Sequence, residues 1–419
     1  MYACRTVPPA LIVEDLRGFD DALRDAASAV AGKPLPDYSW QIAQLSIAKG
    51  GLGLRLPSLH SAAAYLSSVR ASSDLCKRVD GGFDPSDMDG GLGLQIALEK
   101  LQAACLPAAP VQGIAVDDLS LLGSQKTLSS QIDAKIADAL GKDLLTPGAI
   151  PRHLALAAVP GAGAWLTAPA AGDEREIDEP LYRICVQRRL RVPIFQGDEA
   201  CPFCGAPMDR FGDHAVVCSC GGDRVVRHNS IRDQAFDEMR GGGMNVERER
   251  AGLLPCRPSQ DGLPSPAQAR RPADIWVARG DAQQPQAIDF AVTAGLRDPT
   301  IGADEATVAS LFHDYETHKR NHLDTDEQCR RQGLAFLPFV IDAHAGGLSP
   351  LARRTLASAA KAIATATHSD PASVALRIAQ RISCSLQRET ARAVLRRQGD
   401  VVGSATTATG WDAVMPNGA

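Results

Sequence analysis

Aromatic residues are scarce in this 419-residue chain, at 5%, and nowhere does it run for about 18 consecutive apolar residues. The second absence excludes a membrane-spanning helix. The first argues against a large β-sandwich, whose strands draw on aromatic and β-branched side chains. Alanine supplies much of the 45% hydrophobic share, which favours helices built on small residues. A surplus of positive charge is missing as well. The formal net charge is −5, so any nucleic-acid-binding surface has to be local. The opening residues, MYACRTVPPALIVEDL, contain no basic segment followed by an apolar core, so no secretory leader is expected, and no basic nuclear-import run stands out. Eleven cysteines in such a chain point to a reducing compartment, where clustered thiols bind metal more often than they form disulfides.

The length accommodates two or three modules. Residues 1–75 read as helical, interrupted at Lys33-Pro34-Leu35-Pro36 and at Gly50-Gly51-Leu52-Gly53-Leu54-Arg55. Residues 76–195 read as a helical connector that opens on a Gly/Asp-rich run and closes on a basic amphipathic stretch carrying Arg183, Arg188, Arg189 and Arg191. The cysteine cluster falls in 196–230, and a helix over 225–239 ends at Gly241-Gly242-Gly243. From 231 to 400 an α/β domain is expected, with strands at 274–278, 287–293 and 336–341 and two helices over 351–397, followed by a loose tail at 401–419.

Cys201, Cys204, His214 and Cys218 have the spacing C-x2-C-x9-H-x3-C. Two thiolates separated by two residues fit a tight turn that presents both sulfurs to one ion. A His and a Cys four apart share a helical face and can close a tetrahedron. Zinc suits this donor set, and in so short a module the metal itself supplies the folding energy. Cys220 is a second candidate for the fourth position, and the bland alternative is a chance cluster or a redox pair. His228 reads as a structural or substrate-facing residue, not as a ligand.

The second constellation is acidic. In the run Ala287-Ile288-Asp289-Phe290-Ala291-Val292-Thr293, alternation puts Asp289 on a face of small residues, which leaves room for an ion and a phosphate. Asp274 opens the neighbouring strand. Carboxylates from adjacent strands suit magnesium, a hard cation that activates water and neutralises charge on phosphate. A lysine usually completes such a site two residues after the second acid. Here that position is Ala291, and the nearest substitute is Lys319, on a helix face shared with Tyr315. Taken singly, each of these residues is more often a capping acid or a solvated lysine.

Arginines beside the cysteine cluster, Arg224, Arg227 and Arg232, together with Arg270 and Arg271, are candidates for contact with nucleic-acid phosphates. Arg377, Arg381, Arg388, Arg392, Arg396 and Arg397 recur at helical spacing near the end of the chain, as a DNA-facing or a merely solvated surface.

The ordered combination of Cys-Pro-Phe-Cys204, Gly212-Asp-His-Ala-Val-Val-Cys218, Arg227-His-Asn229, Arg-Pro-Ala-Asp274, Asp289-Phe-Ala-Val-Thr293 and Tyr315 to Lys319 resembles the C-terminal region of non-LTR retrotransposon proteins that carry a restriction-like endonuclease. The similarity covers roughly residues 196–345. A weaker one, at Lys49 to Arg55 and Ala64-Tyr65-Leu66, is to the end of a reverse transcriptase thumb. The resemblance implies an α+β multi-module chain: an Ala-rich helical N-terminal half, a CCHC zinc knuckle and a PD-(D/E)xK-like α/β nuclease core. It implies structural zinc on Cys201, Cys204, His214 and Cys218, catalytic magnesium on Asp274 and Asp289, and Lys319 as the catalytic lysine. The implied function is nicking of target DNA to prime reverse transcription. DNA is the main partner, with the element RNA beside it, and a nuclear site of action follows from that function. Two departures stand out. Ala273 separates Pro272 from the first acid, and the only adjacent Asp pairs, Asp20-Asp21 and Asp117-Asp118, lie outside any strand suited to a polymerase. A reverse transcriptase must then come from elsewhere, and the chain reads as a fragment, a split product or a decayed copy. The rival readings are an inactive zinc-dependent nucleic-acid-binding remnant and a protein whose knuckle mediates protein contacts.

Overall fold

The computed structural model describes residues 2–85, 92–142, 150–170, 172, 175–197, 199–255, 272–280, 284–296 and 305–398. Arg270, Arg271 and the tail at 401–419 lie outside the described residues. The chain divides into two compact units, Met1–Leu166 with Arg189–Val192, and Thr167–Arg188 with Pro193–Ala419. No helix among the described residues is long and apolar enough to cross a membrane.

The first unit is helical: α1 (Ala3–Thr6), α2 (Val13–Ala31), α3 (Asp37–Gln44), α4 (Pro57–Val79), α5 (Leu92–Ala104), α6 (Gln125–Lys142) and α7 (Ile150–Ala157). The sequence suggests a boundary near residue 75, but one apolar core crosses it. Ala63, Tyr65 and Leu66 of α4 pack with Leu98 and Leu101 of α5 and Leu128 and Ile132 of α6. Gly51 is required where the glycine-rich turn folds back, because a Cβ there would meet the Leu45 carbonyl oxygen at 2.0 Å.

A polar cluster lies inside this unit. Arg55 Nη2 is 2.7 Å from Asp133 Oδ2 on a side chain only 1% exposed. His60 Nδ1 is 3.2 Å from Ser129 Oγ. Burial pushes His60 down to about 4, with Arg55 acting the same way and Asp133 opposing. Protonation therefore favours the unfolded chain, in which the imidazole titrates near its ordinary 6.5. The stability that the neutral ring contributes is complete above pH 6.5 and is lost as pH falls towards 4, by about 2 kcal/mol between pH 7 and pH 5. Urea melts at these pH values should show that loss, and His60→Gln should flatten it. Parallel curves for the two proteins would refute the assignment.

The second unit contains α8 (Glu179–Arg189, of which Arg189 falls to the first unit), α9 (Asp213–Val217), α10 (Asp223–Gly241), β1 (Val246–Arg248), β2 (Ile275–Val277), β3 (Gln286–Thr293), α11 (Glu305–Asn321), α12 (Thr325–Arg331), β4 (Ala335–Asp342), α13 (Pro350–Thr367) and α14 (Pro371–Leu395). The four strands form a mixed sheet in the order β1-β2-β3-β4, the first two pairings antiparallel and the last parallel. Strand alternation decides which layer each residue joins. Ile288 and Phe290 enter a core with Ile231 and Phe236 of α10, Leu356 of α13 and Ile382 of α14. Ala287 faces the other way, with Phe336 and Cys329. Helix α14 starts cleanly because Pro371 occupies its first turn and the Asp370 carboxylate accepts the Ser373 N–H at 2.8 Å.

The arginines of α14, and Arg396 and Arg397 just after it, are engaged within the unit. Arg377 and Arg381 both bond Glu238 of α10, whose side chain is 4% exposed. Arg388 donates to the Glu176 carbonyl and Arg392 to Glu389, while Arg396 and Arg397 hold Asp223. Glu238→Gln removes the acid and leaves Arg377 half exposed and Arg381 16% exposed, so the loss of their charged hydrogen bonds is expected to cost about 1.5 kcal/mol in a denaturant melt. A change below ~0.5 kcal/mol, the usual size for a surface pair, would count against it.

Candidate metal centre and acidic pocket

Cys201, Cys204, His214 and Cys218 come together with their ligand atoms all within 4.8 Å of one another, and among the described residues this is the group of side chains that could hold a metal ion such as zinc. A small hairpin carries the first pair: Cys201 N–H donates to the Ala206 carbonyl, and Gly205 N–H to that of Cys201, each at 2.8 Å. The second pair brackets α9, where the Cys218 N–H donates to the His214 carbonyl. His214 Nε2 lies 3.3 Å from Cys204 Sγ, which makes it the nitrogen that faces the site. Cys220 is outside the group, and its carbonyl instead accepts from Arg397. Burial opposes ionising Cys201, but the backbone N–H groups of Phe203 and Cys204, with the His214 and Cys204 side chains, outweigh it and bring the thiol down to about 6. A thiolate is the form that binds metal.

Two supporting residues are invisible to ligand spacing. Asp209 accepts the N–H groups of Phe211 and His214, at 2.9 and 2.6 Å, and so positions the turn that presents the imidazole. Arg397, with its side chain fully buried, pairs with Asp223 at 2.7 Å and also reaches the sulfurs of Cys201 and Cys218. Three thiolates around a divalent ion leave one negative charge, and a guanidinium beside two of them offsets it. Arg396 and Arg397 both stack over Phe203, 4.8 Å from the ring centre.

The cysteine cluster leads straight into a second site. Gly221 and Gly222 turn the chain with φ of 85° and 74°, and α10 begins at once. His228, one turn further along, places Nε2 3.1 Å from Asp274 Oδ1. Asp274 precedes β2 directly, and its Oδ2 accepts the Phe290 N–H at 2.6 Å. The antiparallel register ends with Ile275 opposite Ile288; Asp274, just beyond it, donates its N–H to the Ile288 carbonyl at 3.0 Å and lies near enough to Asp289 to act on its carboxyl. From α11, Lys319 reaches Asp289 Oδ2 at 2.9 Å. The two acids are thus near each other, each engaged by a different base. They form two pairs, not a ready cluster of three ligands.

Burial holds the Asp289 carboxyl above its ordinary range; Lys319 opposes that rise and Asp274 adds to it. Lys319, despite its own burial, is held above its ordinary value by Asp289. Two carboxylates thus face the Lys319 ammonium, with His228 on the first acid and Arg232 acting on it from nearby. An open pocket of about 390 Å³ adjoins it, lined from α10 by Arg224, Arg227 and His228, and from β3 and α11 by Asp289, Tyr315 and Lys319. Arg232, by contrast, is spent internally, on Asp233 and Glu249. Arg188, from the basic stretch before the cysteines, is 4% exposed and donates to the Phe211 and Gly212 carbonyls.

No model of a known protein family matches the chain, and no curated protein matches it either.

Proposed function

We propose that the chain is a retroelement-derived, metal-dependent DNA endonuclease that nicks one strand of target DNA to prime reverse transcription, the polymerase being supplied by another chain. The observation that carries this reading is the nearness of Asp274, at the start of β2, to Asp289 on β3, with Lys319 on the second acid at the wall of an open pocket. The order helix, three antiparallel strands, two helices, parallel strand also suits a PD-(D/E)xK-type core, with the lysine moved from the strand to α11.

The donor set is hard carboxylate oxygen, which fits magnesium held by Asp274 and Asp289; the ion would supply Lewis-acid activation of water and neutralise charge on the phosphate. The protein's own groups do the rest. Asp289 fixes the Lys319 ammonium at the pocket, where it can hold a phosphate oxygen. His228 and the Phe290 N–H fix the orientation of the Asp274 carboxylate. Hydrolysis adds water across one phosphodiester: the new P–O bond forms as the P–O3′ bond breaks, and the 3′-hydroxyl released is the group a reverse transcriptase extends. Such a role places the protein in the nucleus.

A second reading, an inactive zinc-dependent nucleic-acid-binding remnant, draws on one observation. Both oxygens of Asp274 already have partners, so a cation has to share the carboxylate with His228. Nicking of supercoiled plasmid with Mg2+ or Mn2+, intact chain against Asp289→Ala, separates the two. Metal-dependent nicking lost in the variant supports the nuclease. A folded, zinc-loaded chain that does not nick supports the remnant.

A further inference from the structure

Arg227 is the most unusual cation in the second unit. It is 3% exposed, its Nη2 donates to the Val216 carbonyl at 2.9 Å, and its Nε and Nη1 are buried without a partner. A guanidinium normally satisfies its donors when buried. The acids nearest it are committed elsewhere. Asp223 is held by Arg396 and Arg397, and Asp342 accepts the N–H groups of Gly295, His344 and Ala345. Its other charged neighbours are Arg188 and Arg224, both cations. Burial, followed by those two, brings Arg227 down to about 10. Asp223 and Asp342 act on Arg227 from a distance, but its Nη2 hydrogen bond goes to a carbonyl and not to a carboxylate.

The place where an anion would fit is at hand. Arg227 lines the open pocket together with the exposed Arg224 and Ser219. The same turn is the start of the 19-residue α10, whose N-cap is Gly222 and which has no side-chain cap on its first N–H groups. The N–H groups of Val225 and Val226 already donate to the Gly222 carbonyl. The first two N–H groups, of Asp223 and Arg224, the positive end of a long helix and a planar guanidinium together select an oxyanion with several acceptor oxygens. The pocket continues to Asp289 and Lys319, so the oxyanion sits beside the acidic site.

We propose that the first turn of α10 is a phosphate seat, in which Arg227, Arg224 and the Ser219 hydroxyl hold a DNA phosphate neighbouring the one presented to Asp289 and Lys319. The inference rests on the endonuclease reading for the identity of the strand, but its test requires no cleavage. Val216 lies in α9, between the ligands His214 and Cys218, so the metal centre also positions the seat.

The experiment measures binding of a fluorescent duplex oligonucleotide by the full zinc-loaded chain carrying Asp289→Asn, without added divalent ion, across a salt series. Arg224→Ala and Arg227→Met are each expected to weaken binding about 10-fold and to lower the salt slope by about one. Inorganic phosphate, as a separate probe, is expected to raise the melting temperature, and Arg224→Ala to remove that rise. Arg224 is exposed, so its variant remains informative even where Arg227→Met does not fold. Unchanged DNA affinity and slope in Arg224→Ala overturn the proposal. Loss of the phosphate effect with DNA binding unmoved also overturns it, and assigns the seat to a small phosphate-bearing ligand. Failure of nicking alone leaves these binding results standing and counts only against the nuclease.

Discussion

Asp289→Ala is expected to abolish metal-dependent nicking, by about 10³-fold or more, while the protein remains folded. The two halves of that expectation have one cause. Asp289 lies mid-strand with its side chain 20% exposed, between Ala287 and Ala291, and burial already disfavours its charge. A carboxylate in such a place weakens the fold unless a cation compensates it, and Lys319 is shared between that carboxylate and the pocket. Removing the carboxylate therefore relieves one desolvation cost, leaves Lys319 28% exposed and able to reach water, and shifts the melting temperature by only a few degrees. On the endonuclease reading, what vanishes is the anionic donor that a divalent ion would use. Plasmid nicking and a thermal melt on the same preparations check both halves. A variant that loses stability without any parent activity to lose would mark Asp289 as an ordinary ion-pair acid.

Loss of zinc is expected to damage stability more than any single surface change. Residues 199–220 gather around the four candidate ligands and bury only a few apolar side chains, such as Met208, Phe211 and Val216, so a metal held there would contribute folding energy. Cys204→Ser is the informative variant, because Cys204 is exposed and the change removes a ligand with little packing. Losing one of four ligands should cost several kcal/mol, a fall of roughly 10 °C in a unit of this size. The parent should contain one zinc per chain by elemental analysis. DNA binding should fall in the same variant, because Arg227 hangs on the Val216 carbonyl inside the ligand loop. A chain that purifies without metal and melts as Cys204→Ser does would refute the centre.

Much of the second unit was legible beforehand, and the reason is local. Expected strands at 274–278, 287–293 and 336–341 correspond to Ile275–Val277, Gln286–Thr293 and Ala335–Asp342, because alternation and β-branched residues act within a few positions. The expected helix at 225–239 starts two residues earlier and runs to Gly241. Val246–Arg248 could not be singled out, since a three-residue edge strand carries too little pattern. The boundary expected near residue 75 dissolves in the first unit for a different reason: α4 buries its small residues against helices on the far side of the Gly/Asp-rich run, and composition does not record that contact.

Four ligands within 18 residues are set by turn and helix geometry, so the sequence alone determined the metal centre's composition, and strand alternation alone determined that Asp289 faces away from Phe290. Everything that gives those residues their electrostatic setting was decided by tertiary packing. Lys319 meets Asp289 from a separate helix, His228 reaches Asp274 across 46 positions, and Arg397 reaches Asp223 across 174 and the cysteine sulfurs as well. The arginines of α14, which look solvated or DNA-facing at helical spacing, instead bond Glu238, Glu176, Glu389 and Asp223. Helical spacing says which side chains share a face. What that face meets depends on how the sheet and α10 pack against it, and no local propensity encodes that.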